Sequence, residues 1–306
     1  MALEEGLWDF DMIPSQLQQP DMSKEMYEIM IDNENRFYGG FNYMEYKEGF
    51  TYESRSRLIA WIREVGNQPS IEAQTIFMAV AILDRFFSIG DCIPKHWQLA
   101  AAASLFLASK YNDSKPIRVS ILRNSMQEPF CKEDIYAMEL MVLYRLDFEI
   151  SIITSWEFAS LFLDRLFQML GRRDPILTKL TLYFLEICLE NEISCEFFPS
   201  DIGGAALAVA SWYRHHRLSK QQRTRFAKCC ISIAIDEYDK TDVVECFRSI
   251  FALHNLIISR AATKSIVDRY GLNVYLRILP MPSLELCSTT REQLKHVTST
   301  IRIVER

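Results

Sequence analysis

A few charged residues of this chain lie inside otherwise apolar patterns. Their types and spacing suit an ion pair better than a catalytic site. Arg55 and, 29 residues later, Asp84 with Arg85 lie inside two otherwise apolar helical patterns. A buried charge is tolerated in a protein core only when it is paired and hydrogen-bonded. The sequence therefore predicts that Arg55 and Asp84 pair, tie two helices together and act structurally.

Patterns for metal binding or catalysis are missing from the sequence. The adjacent His215 and His216 lack the i, i+4 spacing of a helical metal pair, and there is neither a phosphate-cradling glycine loop nor a G-x-S-x-G turn. Without any C-x-x-C spacing the cysteines suit neither zinc nor redox chemistry, and we interpret them as reduced, mostly buried thiols. They are Cys92, Cys131, Cys188, Cys195, Cys229, Cys230, Cys246 and Cys287. We expect a protein that is not an enzyme and that uses no metal or cofactor.

Composition sets the broad class of the protein. With 306 residues, 49% of them hydrophobic and 24% charged, the chain is long enough for two globular domains of ordinary size. A formal charge of −6 gives no global reason to bind nucleic acid or an anionic membrane. The acidic start does not resemble a signal peptide, and the longest apolar run, near 97 to 109, is too short to span a bilayer. We expect an intracellular, soluble protein with neither membrane nor nucleic acid as a partner.

Helical periodicity dominates the apolar pattern. Leu58, Trp61, Ile62 and Val65 recur at i, i+3, i+4 and i+7, and the segment from Ile135 to Leu146, including Leu140 and Met141, carries a broader apolar face. Strand-like alternation is nearly absent, so the predicted class is all-α. The segment 97–111 is rich in alanine and apolar on all sides, which is typical of a helix surrounded by others.

A second segment of this kind begins 102 residues later. Ala101 to Tyr111 aligns with Gly203 to Tyr213 in the positions of its small residues, its leucine, its serine and its tyrosine. We interpret this as an internal duplication that gives two helical domains, each built around one central helix. The predicted organisation is an N-terminal extension (1–53) with a helix at about 22–37, a first repeat (54–150), a second repeat (151–260) and a C-terminal tail (261–306).

The positions from Arg55 to Phe86 form a signature that continues downstream. Its members are Arg55, Leu58, Trp61-Ile62, Ile71, Ile76, Ala79-Val80, Ile82-Leu83, Asp84-Arg85-Phe86, Trp97-Gln98-Leu99, Leu107 to Tyr111 and Met138-Glu139. With these positions the chain resembles a cyclin with two cyclin boxes, over about residues 20 to 280. Glu25 to Glu34 and Phe198 to Ile202 are similar to stretches of the A-type and B-type mitotic cyclins.

The resemblance implies tandem five-helix cyclin-box domains and a non-catalytic role. A cyclin is the regulatory subunit that binds and activates a cyclin-dependent Ser/Thr kinase, here most similar to those that control the G2/M step, and it is expected in nucleus and cytoplasm. The kinase-binding positions that the resemblance assigns are Lys110, Glu139, Met26, Leu107, Tyr111, Leu143, Phe148 and Ile150. Leu99 receives a structural role together with Arg55 and Asp84.

A second family site, an apolar patch for docking kinase substrates, is only partly matched. Leu58, Trp61, Glu64, Trp97 and Gln98 correspond to it, while Ser54 and Arg57 stand where the family's usual motif has Met and Ile. The guanidinium of Arg57 could stack on Trp61, and it would repel the basic motifs that the patch normally accepts. Core packing is the competing interpretation for Trp61.

Other interpretations stay open on the sequence alone. Lys110 and Glu139 can be a solvated surface pair, worth less than about 1 kcal/mol, and each apolar position of the kinase set can be core. At the level of function, the alternatives are a G1 or transcriptional cyclin, an adaptor that has the fold but activates no kinase, and a DNA-binding factor of the transcription factor IIB type. Salt-sensitive affinity for duplex DNA would identify the last of these.

Overall fold

The computed structural model describes residues 21–37, 43–46, 49–214 and 240–260, together with the single positions 219, 221 and 230. Every regular element in these ranges is a helix, which confirms the all-α prediction. The first 20 residues, most of residues 215–239 and the predicted C-terminal tail lie outside the described residues.

The helices follow the predicted order along the chain. An N-terminal helix, α1, spans Asp21–Phe37, close to the predicted 22–37, and a 3-10 turn covers Tyr43–Tyr46. Five helices follow: α2 (Tyr52–Gly66), α3 (Ala73–Ile89), α4 (Trp97–Asn112), α5 (Val119–Ser125) and α6 (Lys132–Arg145). The later described helices are α7 (Ser155–Leu170), α8 (Pro175–Leu189), α9 (Ile193–Glu196), α10 (Pro199–Arg214) and α11 (Lys240–Arg260).

Side chains just outside the helices fix where several of them begin and end. The Thr51 hydroxyl accepts a hydrogen bond from the Ser54 backbone N–H at the start of α2, and Thr154 and Glu157 form a capping box at the start of α7. Asp174 caps α8 by accepting from two backbone N–H groups, and α7 ends at Gly171 with a left-handed φ of 64°. These contacts satisfy backbone groups that a helix end leaves unpaired.

The two small-residue segments are the central helices of the structure, as predicted. α4 packs against α2, α3 and α6, and α10 packs against α7, α8 and α11. Ala101, Ala102 and Ala103 on α4 have no exposed surface, and neither do Ala205 and Ala206 on α10. Small side chains let the surrounding helices approach closely.

Gly203 on α10 marks the tightest of these approaches. A Cβ atom added there would lie 3.0 Å from the Ala159 backbone nitrogen and 3.1 Å from the Ser155 carbonyl oxygen, which are backbone atoms of α7. Gly203→Ala is therefore expected to lower the free energy of unfolding by about 1–3 kcal/mol, as overpacking does. Urea denaturation measures this loss.

Gly66 offers the matched comparison for Gly203. A Cβ atom at Gly66 would overlap only the end of the flexible Ile76 side chain, which can move aside. Gly66→Ala is expected to cost less than Gly203→Ala, because a rotamer change costs less than a backbone shift and alanine favours the helix. A larger loss at Gly66 would show that close approach of the backbones does not set the order.

The predicted pair of Arg55 and Asp84 is present and has further partners. Arg55 is 1% exposed and donates to Asp84 through Nε (2.8 Å) and Nη2 (2.6 Å). Tyr43 also donates to Asp84 (2.8 Å), and Nη1 of Arg55 donates to the Leu189 carbonyl of α8 (3.1 Å). Burial alone would lower the pKa of Arg55, but the adjacent Asp84 carboxylate raises it above its ordinary value. The pair thus ties α2 to α3 and reaches α8.

Arg63 makes a second contact between α2 and α8. Its guanidinium pairs with Glu186 (2.6 Å), whose side chain is 4% exposed, and also with Glu190.

Leu99, assigned a structural role, lies in the core at 4% exposed. No helix in the described part of the chain has the length and apolar character that crossing a membrane requires.

Candidate partner-binding surface

Lys110 and Glu139 meet between two packed helices, α4 and α6. Lys110 lies in the last turn of the central helix α4, Glu139 lies midway along α6, and their side chains form an ion pair. The Glu139 side chain is 11% exposed and that of Lys110 41%, and the ammonium also lies 4.5 Å from the centre of the Phe106 ring. The pair is therefore neither a core contact nor a fully solvated surface pair.

Neighbouring elements present an unusual number of apolar side chains to solvent. Eight large apolar residues on α1, the end of α4, α6 and the turn after α6 are between 47% and 68% exposed. We call this set the apolar surface: Met26, Ile29, Tyr111, Tyr136, Leu140, Met141, Tyr144 and Phe148. On α6 the residues Tyr136, Leu140 and Tyr144 recur every four positions and so lie side by side. A contiguous exposed apolar patch marks a site of protein–protein interaction in a soluble protein.

The outer side of α6 is the centre of the apolar surface. Tyr136, Ala137, Leu140, Met141 and Tyr144 are all exposed, and none of them carries a charge. A helix whose outer side faces only water normally carries charged and polar residues there. This side of α6 has instead the composition of an interface.

The turn after α6 holds Phe148 outward in a constrained backbone conformation. Asp147 and Phe148 have φ values of 51° and 60°, which residues other than glycine seldom adopt. The Phe148 N–H donates to the Leu143 carbonyl (2.8 Å), and its ring lies 5.3 Å from that of Tyr144. Such strain persists only where the surroundings enforce it and is concentrated at functional sites.

Glu149 supplies the next restraint on this turn. Arg85 of α3 donates to the Glu149 carbonyl (2.5 Å), and the Glu149 carboxylate pairs with Arg36 of α1. One residue thus joins the turn to both α1 and α3. These contacts therefore fix the position of Phe148 in the free chain.

Comparison with known proteins finds a family resemblance over part of the chain. Residues 25–151 match the family model of the cyclin N-terminal domain. Over this segment, which is less than half of the chain, the protein is similar to the cyclins. This matched segment contains the Lys110–Glu139 pair and every residue of the apolar surface.

The relatives that this chain resembles are A-type cyclins. It is 26% identical to human Cyclin-A1 over 257 residues, which are 84% of this chain and 52% of the relative. It is 25% identical to the G2/mitotic-specific cyclin-A of Hydra viridissima over 267 residues, which are 87% of this chain and 60% of the relative. The chain thus spans about half to three-fifths of the length of these two relatives.

A solved structure supports the predicted fold. The viral cyclin of herpesvirus saimiri superimposes with a TM-score of 0.60 at 16% sequence identity, covering 74% of this chain and 96% of that one. The tandem arrangement of helical cyclin-box domains predicted from the sequence is confirmed.

The six apolar residues predicted to bind the kinase fall into three groups. Met26, Tyr111 and Phe148 belong to the apolar surface, and Leu143 and Ile150 are half-buried beside it. Leu107 is 4% exposed, so its predicted place on a contact surface is wrong. The reason is that Leu107 lies on a turn of the central helix α4 that is enclosed by its neighbours.

Five residues of the apolar surface were missed by the sequence analysis. Ile29, Tyr136 and Tyr144 were not singled out, and Leu140 and Met141 were assigned only to a broad apolar face of their helix, although they are about half exposed. The signal that could have found them is an excess. The segment 135–146 has more apolar positions than one buried face of a helix can hold.

The predicted substrate-docking residues have a different environment. Leu58 is buried, Glu64 is exposed, and Trp61, Trp97 and Gln98 are half-buried. The Trp61 indole donates to the Ser125 carbonyl, the Trp97 indole donates to the Cys92 carbonyl, and the Gln98 side-chain oxygen accepts from the Gln127 N–H, each at 2.9 Å. The polar groups of Trp61, Trp97 and Gln98 are thus already hydrogen-bonded to the backbone of this chain. The role of the patch in docking substrates stays a prediction.

Arg57 does not contact Trp61 as expected. Its guanidinium pairs with Glu53, one turn earlier on the exposed side of α2, at 2.5 Å. The predicted stacking on Trp61 is therefore wrong, because a carboxylate at i−4 on the same helix is an easier partner to reach.

The described ranges contain no metal site, and three buried cysteines there are unreactive. No group of three or more His, Cys, Asp or Glu side chains there is arranged to hold a metal ion. Cys188, Cys195 and Cys246 are buried, and burial raises the pKa of each thiol, that of Cys195 to about 11. These three thiols are therefore protonated, unreactive parts of the core.

Proposed function

We propose that this protein is a cyclin that binds and activates a cyclin-dependent Ser/Thr kinase and performs no catalysis itself. The observations that carry the proposal are the half-buried Lys110–Glu139 pair and the eight exposed apolar side chains on α1, α4, α6 and the turn after α6. An apolar surface with a small number of fixed polar groups is the composition of a specific protein interface.

Activation follows from the rigidity of this surface. A kinase is active only when a lysine of its β-sheet pairs with a glutamate on a mobile helix. A partner surface that is already ordered stabilises the paired position of that helix without contributing to the chemistry. The order comes from the buried face of α6 against α4 and from the contacts of Glu149 with α1 and α3.

The finer assignment we propose is the G2/M branch, with the protein in nucleus and cytoplasm. It is supported by the resemblance to A-type cyclins, one of which bears the name G2/mitotic-specific. A G1 or transcriptional cyclin is the alternative. Protein level and associated kinase activity in synchronised cells distinguish the two, since activity confined to G1, or constant through the cycle, would overturn the mitotic assignment.

The charge pair provides the direct test of kinase binding. Replacing both residues, Lys110→Ala with Glu139→Ala, removes two groups that can bond the kinase backbone in a desolvated interface. Truncation of such groups typically costs about 2–5 kcal/mol, so affinity should fall by roughly 30-fold or more. The measurements are binding to cyclin-dependent kinases isolated from the same cells and histone-type phosphorylation.

The exposed pair of Arg57 and Glu53 supplies the control for this experiment. Replacing both of them by alanine removes the same two charge types from α2, away from the apolar surface. Binding and activation should stay at the wild-type level in the control. Equal affinity of the Lys110/Glu139 variant and the wild type would contradict the proposal, provided that circular dichroism shows both to be folded.

A further inference from the structure

Glu34 joins α1 to the start of the second central helix. Its side chain is 5% exposed, and its two oxygens accept hydrogen bonds from the Ser200 N–H (2.7 Å) and the Ser200 hydroxyl (2.9 Å). Ser200 is the second residue of α10. A single carboxyl group therefore connects elements 166 residues apart.

The charged group that acts on the pKa of Glu34 is another acid. Asp201 follows Ser200 and raises the pKa of Glu34, while Asp242 of α11 raises the pKa of Asp201. No cation forms an ion pair with Glu34 in the described ranges, so its negative charge is not neutralised there. An acid buried beside another acid favours its protonated form.

The cations on the surrounding elements are engaged elsewhere. Arg165 of α7 lies over the Tyr27 ring, 5.3 Å from its centre. Arg55 of α2 and Arg85 of α3 line the same cavity as Glu34. Each has another partner, because Arg55 pairs with Asp84 and Arg85 pairs with Glu149.

Burial is the main reason why the Glu34 carboxyl titrates near pH 7. It raises the pKa of Glu34 from 4.5 to about 7, although the bonds from Ser200 lower it, and burial likewise raises the pKa of Asp201 to about 6. A carboxyl whose pKa is raised by folding stabilises the folded form below its ordinary pKa, and that contribution is lost as the pH rises through the folded value. For Glu34 the contribution falls between about pH 4.5 and 7.

We propose that a proton on Glu34 fastens α1 to α10, so that α1 is held more firmly in mildly acidic than in mildly alkaline solution. This device goes beyond the proposed function and does not depend on it, because it concerns the free chain. Its consequence for binding would be direct, since Met26 and Ile29 of the apolar surface lie on α1.

Hydrogen exchange of the α1 amides in the full chain tests the proposal. Protection factors are measured at pH 6 and pH 8, each corrected for the intrinsic exchange rate. One linked proton changes an opening equilibrium by at most tenfold per pH unit, and we expect protection roughly tenfold higher at pH 6. Equal protection at the two pH values in the wild type would overturn the proposal without any variant.

Glu34→Gln should abolish the difference, because the amide is neutral at both pH values and can still bond Ser200. Its α1 should be as protected at pH 8 as that of the wild type at pH 6. Asp32→Asn is the matched control: Asp32 is an exposed carboxyl on the same helix, and its loss should leave the pH dependence intact. A dependence that survives in Glu34→Gln but vanishes in Asp201→Asn would assign the proton to Asp201 and refute the role of Glu34.

Discussion

Asp84→Ala is expected to lower the free energy of unfolding by about 3–5 kcal/mol, which is a large part of the stability of an ordinary domain. The substitution leaves the guanidinium of Arg55, only 1% exposed, without its counter-charge. It also removes the acceptor of the Tyr43 hydroxyl. Because the Asp84 carboxylate itself is partly solvated, at 24% exposed, the lower part of this range is the more realistic value.

Urea or thermal denaturation measures the effect, with Glu53→Ala as the control. Glu53 pairs with Arg57 in the same charge combination, but both side chains are more than 70% exposed, so its loss should cost less than about 1 kcal/mol. The contrast isolates burial as the cause. An Asp84→Ala protein that is folded and as stable as the wild type would disprove the structural role of the pair.

The loss should extend to both repeats. Arg55 also donates to the Leu189 carbonyl of α8. Arg63, two turns further along α2, pairs with Glu186, which also lies on α8. Displacing Arg55 therefore loosens α2 from α8 as well as from α3. Hydrogen exchange should show lower protection in α8 of the Asp84→Ala protein.

Local sequence patterns predicted the parts of the fold that depend on local causes. The alanine run 101–103 identified α4 as a central helix, because a helix that is apolar on all sides has to be enclosed. The charges of Arg55 and Asp84 inside apolar patterns identified the ion pair for a similar reason. Lys110 and Glu139 were found through family resemblance, and the structure shows that they meet.

The parts that were missed depend on contacts between distant residues or on backbone conformation. Apolar periodicity does not tell a core face from an interface face, so Leu107 was assigned to a contact surface and Leu140 was not. Nothing near Glu34 in the sequence indicates Ser200 as its partner, and no local pattern predicts the left-handed backbone of Phe148. Such features arise only when the helices are assembled.

Leu140→Asp with Tyr144→Asp is the variant expected to affect the proposed function most. Both side chains are exposed in the free chain, at 49% and 64%, so two carboxylates there should leave folding intact. In a complex they would be buried on the apolar surface without a counter-charge, a penalty of several kcal/mol for each ion. Kinase binding is expected to fall by about 1,000-fold or more, which a titration by calorimetry or fluorescence anisotropy would register as no detectable complex.

Two other exposed apolar residues make the comparison specific to the surface. Ile89 and Ile93 are 53% and 58% exposed and lie at the end of α3 and in the loop before α4, outside the set of residues that surrounds Lys110. Ile89→Asp with Ile93→Asp adds the same charge to equally exposed positions and should bind the kinase as the wild type does. If both double variants lost binding alike, net charge would be the cause. If neither lost it, the outer side of α6 would not be the interface, and the excess of apolar residues there would need another partner.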